Sequence, residues 1–173
     1  MVQALVVYES LWGNTESVAR AIADGIASTS GDVAVTVTVM VGEAGPDIGL
    51  DPDLALLAVG GPTHAFGMSN GATRESARER GAPHLPAWGI REWIDALPSP
   101  DGAVRVAAFD TRTVSPRLPG SAAKKALKRL VGRGYEPAAK ARTFGVHGYE
   151  GPLADGELDH ARAWGAELAA SVR

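Results

Sequence analysis

A doubly wound α/β domain is the architecture this sequence predicts: a five-stranded parallel sheet covered by helices on both faces, in three layers. Three observations lead there. Apolar runs of strand length alternate with stretches of helical period. The runs are continuous rather than polar-apolar alternating, as strands buried on both faces are. The chain of 173 residues, 45% apolar and 21% charged, is long enough for one well-filled core and short for two. We read residues 1–173 as a single domain.

The elements follow in order. Ala4-Leu5-Val6-Val7-Tyr8 is the first buried strand. After Gly13, Asn14 is placed as an N-cap, and Val18, Ile22 and Ile26 recur at helical spacing with Arg20 and Asp24 outside, which gives an amphipathic helix. Val33 to Val39 and Leu54 to Val59 are the next two strands. Between them, Gly42 to Asp53 leaves room for only a very short helix. Met68 to Ala87, rich in Gly, Pro, Arg and Ser, reads as a long surface loop, and a loop of that length is usually functional or disordered.

Ile90, Trp93, Ile94 and Leu97 mark a further helix, and Val104 to Phe109 the fourth strand. Ala123, Leu127, Leu130 and Val131 form a helical stripe after Ser121, with Gly134 as its stop. Thr143 to Val146 is a weaker fifth strand. From Glu157, Ala161, Trp164 and Leu168 make a last stripe in which Gly165 lets the helix lie close to a sheet. Short alternating units of this kind imply right-handed crossovers and a parallel sheet.

Composition narrows the function. Seventeen Lys+Arg against twenty Asp+Glu give a net charge of −3, too weak a field for general nucleic-acid binding. Without Cys there is no disulfide, thiolate metal site or Cys nucleophile. The four His show no metal spacing, and we expect no metal. No run approaches the length of a spanning helix, and the N-terminus has no basic, cleavable leader. The cytoplasm is the expected compartment. The charge is unevenly spread: residues 112–142 hold nine basic residues and one acidic, while residues 1–53 hold eight acidic and one basic.

In an open parallel sheet a ligand sits outside the carboxyl ends of the strands, so the loops after strands one, three and four carry the chemistry. The first, Ser10-Leu11-Trp12-Gly13-Asn14-Thr15, sets two hydroxyls, an amide and a glycine at a helix start. Free N–H groups and the helix dipole suit a phosphate there without a basic side chain. The Walker ending Gly-Lys-Ser/Thr and the Gly-x-Gly-x-x-Gly fingerprint are both absent. Ser10 and Asn14 as plain helix caps are the alternative.

The full pattern Val6-Val7-Tyr8-x-Ser10-x-x-Gly13-x-Thr15-x-x-x-Ala19-x-x-Ile22 resembles the flavodoxin signature at every defining position. The resemblance spans essentially the whole chain apart from Met68 to Ala87, and it implies a flavodoxin-like sheet of order 2-1-3-4-5 and bound FMN. By position, Ser10, Gly13, Asn14 and Thr15, with the backbone of Leu11 and Trp12, would cradle the phosphate. Pro62-Thr63-His64-Ala65-Phe66-Gly67 looks like the family's Gly-x-Pro-Thr turn along the isoalloxazine. Phe66 is then a wall for the ring or simply core, Gly61 or Gly67 an adaptable backbone, and His64 a flavin contact or a solvent-facing residue.

Asp110, Thr111 and Arg112 correspond to the second ring-binding segment. Many flavodoxins stack a Tyr from this loop, whereas Asp110 to Ala122 contain no aromatic, so Trp12 or Phe66 would substitute. Arg112 near the ring would favour a reduced flavin anion and raise its potential; the alternative is pairing with Asp110 or Asp101. His147 and Tyr149 read as the structural entry to the last helix.

Three functions follow from the resemblance. The first is an FMN-binding electron carrier that meets a redox partner protein, with Lys124, Lys125, Lys128 and Arg129 either a docking surface or a plain solvated face. The second is an FMN-dependent reductase using NAD(P)H or a quinone, with His64, Phe66, Met68 and Arg74 around the substrate. The third is an interaction module that has kept the fold and lost the flavin.

Overall fold

The computed structural model describes residues 2–29, 33–38, 50–100 and 102–172. Its sheet contains β1 (Val2–Tyr8), β2 (Val33–Thr38), β3 (Leu54–Pro62), β4 (Arg105–Thr113), β5 (Glu136–Pro137) and β6 (Arg142–Val146). All pairings among these strands are parallel, in the order β2-β1-β3-β4, followed by β5 and β6 in series along the far edge of β4. The predicted order is the observed one. The fifth position differs in being shared by two strands: β5 pairs with Arg105 and Val106, and β6 with Phe109 to Thr113. Past Pro137, Ala138 N still donates to Val106 O at 2.7 Å, and strand pairing resumes where Arg142 meets Phe109.

Among the described residues five helices accompany the sheet: α1 (Asn14–Ser28), α2 (Gly71–Glu79), α3 (Ile90–Ala96), α4 (Ala122–Gly132) and α5 (Glu157–Ala170). Because successive side chains leave opposite faces of a strand, the continuous apolar runs feed two cores. Ala4, Val6, Leu56, Ala58, Ala107 and Phe109 pack with α1 and α5. Val7, Leu57, Val59, Val106 and Ala108 pack with α3 and α4. Among the described residues no helix is long and apolar enough to cross a membrane.

Three expectations are corrected. The N-cap of α1 is Gly13, in the left-handed region at φ 93°, and Asn14 is already helical. Gly165 faces a helix rather than the sheet: a Cβ there would lie 2.2 Å from the Ile22 carbonyl, and one on Gly25 would lie 2.0 Å from that of Arg162. Each glycine thus admits the other helix's backbone, which is why α1 and α5 pack closely. Lastly, Met68 to Ala87 is not all loop, for it holds α2. The start of α2 is a reciprocal cap in which Asn70 Oδ1 accepts from Thr73 N and Thr73 Oγ1 accepts from Asn70 N. The expectation of a very short helix at Gly42 to Asp53 falls largely on residues 42–49, outside the described residues.

Candidate functional site

The turn between β1 and α1 is built around a buried hydroxyl. Ser10 Oγ accepts from Gly13 N at 3.1 Å and Glu16 N at 3.3 Å, so a side chain four residues before the helix satisfies one of its first donors. The other N–H groups of that first turn have no acceptor within the helix. Thr15, 2% exposed, shares a 2.7 Å hydrogen bond with Thr111 Oγ1 on β4. Asn14 donates its amide to Glu150 O at 3.1 Å, and Leu11 O accepts from His84 N at 3.2 Å. The turn is held at both ends, and a negative charge in front of it meets a positive helix terminus.

After β3, Thr63 N donates to Thr111 O at 2.9 Å, and His64 and Gly67 exchange backbone hydrogen bonds of 2.8 and 3.0 Å. The two residues between them, Ala65 and Phe66, have φ of 44° and 71°. Two consecutive non-glycine residues in the left-handed region cost about 1–3 kcal/mol each, and strain of this kind collects at functional sites. It leaves Phe66 51% exposed at the rim. His64 is not solvent-facing but half-buried. Burial first, then the charges of Arg80 and Arg74, pull its pKa down to about 4, so its imidazole is neutral at physiological pH.

On β4 the alternation of faces separates the three predicted contacts. Thr111 points toward Thr15. Asp110 points the other way and is fully buried, with Oδ2 accepting from Thr63 Oγ1, Ser121 Oγ and Ala123 N at 2.9, 2.6 and 3.0 Å. This carboxylate fixes Thr63 and the N-terminus of α4. Arg112 donates to Gly120 O at 2.6 Å rather than to Asp110, and Asp101, the other carboxylate considered for it, lies outside the described residues.

These loops surround a cavity of about 530 Å³. Of the predicted residues, Ser10, Leu11, Trp12, Asn14 and Thr15 line it from the first turn, Pro62, Thr63, His64 and Phe66 from the second, and Thr111 and Arg112 from the third. Gly13, Gly67 and Asp110 do not line it, and neither does Gly61, which packs against Ile90 inside β3. Among the described residues no Asp or Glu lines the cavity.

One wall was missed. Thr73, Ser76, Ala77 and Arg80 line the cavity from α2 and its end, and Tyr149 lines it from the loop after β6. Tyr149, read as structural, is 62% exposed with the Arg80 guanidinium 4.3 Å above its ring. Conversely, Met68 is buried and Arg74 is locked in an ion cluster, so neither lines the cavity. Arg74 donates to Ser69 Oγ at 2.9 Å and Glu92 Oε1 at 2.6 Å, and stands 3.9 Å from Glu9 Oε1. Glu9 is fully buried and accepts from Ser69 Oγ and from Ile90 N at 3.2 Å. Burial pushes its pKa up, while Ser69, Ile90 N–H and Arg74 pull the other way. Glu92 is held below the usual carboxylate range by its hydrogen bonds and by Arg74, against desolvation as the largest opposing influence. The cluster ties α2 to the end of β1 and to α3.

No family model and no curated protein matches the sequence. Solved structures do match the fold. Oxidised Flavodoxin 1 from Bacillus cereus aligns over 97% of both chains with a TM-score of 0.68 and 18% identity. A flavodoxin from the domain Archaea aligns over 99% of both, with a TM-score of 0.61 and 23% identity. The metal-soaked Flv1 flavodiiron core from Synechocystis sp. PCC6803 aligns over 99% of this chain, which spans only 36% of that one, with a TM-score of 0.65 and 16% identity. Sheet order, helix placement and these alignments agree that the chain has the flavodoxin-like fold.

Proposed function

We propose that this chain binds one FMN noncovalently in the cavity and works in electron transfer. The observation that carries the reading is the Ser10–Thr15 turn, with buried hydroxyls and helix-start amides, opening on a cavity that also has aromatic and threonine walls. Its volume of about 530 Å³ falls in the range of about 300–1,000 Å³ typical of cofactor pockets. Ser10, Asn14 and Thr15, with the amides of Leu11 and Trp12, would hold the phosphate, and Gly13 would shape the turn through its left-handed backbone while its N–H stays on Ser10 Oγ. Pro62, Thr63, His64 and Phe66, with Thr111 and Arg112, would flank the ring, Gly67 would close the turn through its backbone pair with His64, and Asp110 would keep Thr63 in place. When bound, the flavin supplies reversible electron chemistry. The chain's own residues would orient it and exclude water, and Arg112, in a cavity lined by no Asp or Glu among the described residues, would favour negative charge on it.

The exposed Lys124, Lys125 and Lys128 on α4 form the face we propose for an acidic redox partner, next to the His64–Gly67 turn through Lys125 and Gly67. Arg129 belongs to that face but is engaged with Asp95 at 2.6 Å. The cytoplasm is the compartment we propose. A second reading, an FMN-dependent NAD(P)H or quinone reductase, is favoured by the α2 wall, since a simple carrier needs no enclosed space over its flavin.

The test is to mix the purified protein with FMN, desalt it and record the visible spectrum. A retained yellow chromophore supports the proposal; a colourless protein leaves the flavin-free interaction module. Steady oxidation of NAD(P)H by the loaded protein alone would select the reductase, and its absence the carrier.

A further inference from the structure

Three arginines sit on α2 and its C-cap, and two are neutralised: Arg74 by Glu92 and Arg78 by Glu75. The third, Arg80, makes no salt bridge to a described residue and lines the cavity, with its guanidinium over the Tyr149 ring. Both segments that bring this pair together are fastened to the Ser10–Thr15 turn. Four residues after Arg80, His84 N binds Leu11 O, and one residue after Tyr149, Glu150 O binds the Asn14 amide. Gly151 continues that contact so closely that a Cβ on it would lie 2.6 Å from Asn14 Oδ1. The segments that carry Arg80 and Tyr149 are therefore anchored to the same turn, one at its Leu11 end and one at its Asn14 end.

A guanidinium lacking a carboxylate, in a cavity with no acidic lining among the described residues, is an anion receptor by charge. A planar guanidinium can keep its face on the tyrosine ring while its edge donates a fork of charge-assisted hydrogen bonds to a phosphate, so the cation–π contact steadies the receptor instead of competing with the ligand. We propose that Arg80, steadied over Tyr149, is a phosphate-recognition residue that makes the cavity select a phosphomonoester over the same ligand without its phosphate. The inference rests on the FMN reading and goes beyond it: the turn seats the phosphate, and the cation on α2 supplies the discrimination. It also makes α2 part of the binding site.

The experiment is a titration of the wild-type protein and of Arg80→Gln, Arg80→Lys and Tyr149→Leu with FMN and separately with riboflavin, following flavin fluorescence. Arg80→Gln is expected to weaken FMN binding about tenfold or more while riboflavin moves less than about twofold. It should also flatten the salt dependence of FMN binding. Arg80→Lys should recover part of the loss, and Tyr149→Leu should weaken FMN more than riboflavin. Unchanged FMN affinity in Arg80→Gln overturns the proposal, as does an equal loss for both flavins, which would mark Arg80 as packing only. Binding of neither flavin by the wild-type protein overturns the FMN reading itself, and this inference with it.

Discussion

Thr15 and Thr111 join α1 to β4 through one buried pair of hydroxyls 2.7 Å apart. Thr15→Val keeps the shape, removes the bond and leaves the Thr111 hydroxyl, 5% exposed, without its partner. We expect a loss of about 1–3 kcal/mol in chemical denaturation and weaker FMN binding, not its abolition, because the helix-start amides remain. His64 gives a pH dependence. Its folded pKa of about 4 lies below the unfolded value of about 6.5, so the unfolded chain takes up the proton first. The stability His64 confers is complete above pH 6.5 and is lost as pH falls toward 4. Thermal melts of His64→Gln should show a shallower decline over that window than the wild-type protein. Ser10 and Thr15 were legible in the sequence because spacing alone puts them at a strand-to-helix turn. Which of Asp110 and Thr111 reaches the cavity is not legible in the sequence, because one step along a strand changes face: Thr111 lines the cavity and Asp110 turns toward α4.

Helix α2 owes its position to Arg74. Removing one member of a buried ion cluster typically costs about 3–5 kcal/mol. Glu9 offers a partial escape, since burial already raises its pKa and a protonated Glu9 needs no cation. Arg74→Met should therefore be more destabilising at pH 8 than at pH 5 in urea unfolding; an equal loss at both would mean Arg74 acts by packing alone. The α1–α5 contact makes a second prediction. Gly165→Ala drives a methyl into the Ile22 carbonyl at 2.2 Å and should cost about 1–3 kcal/mol. Gly132→Ala, with nothing within 4 Å of the new methyl, should be neutral or stabilising by up to about 1 kcal/mol. Helices α1, α4 and α5 announce themselves by apolar period, and Ser121, after which the stripe of α4 begins, is its N-cap. In α2 only Arg74 and Ala77 are buried, so no apolar stripe betrays it. The one available sign was the spacing of Asn70 and Thr73, a capping pattern set among polar residues that also read as loop.

At the scale of the whole molecule, the two-sided core follows from where continuous apolar runs fall between helical stretches, and the order β2-β1-β3-β4 is the one implied by the flavodoxin resemblance of the first turn. That pattern survives at 16–23% identity to the flavodoxin-like structures described above because it asks for residue classes, not particular residues. The split fifth position was harder to read, for a two-residue strand has no period. The cavity was legible as three loops but not as an enclosure, since Tyr149 and Arg80 are distant in sequence and meet only through the fold. Whether this enclosure is an FMN site is decided by calorimetric titration of the protein with FMN. Saturable binding of one FMN per chain, weakened in Thr15→Val, is the expected result; no binding heat, with flavin fluorescence unchanged at excess protein, would rule the FMN site out.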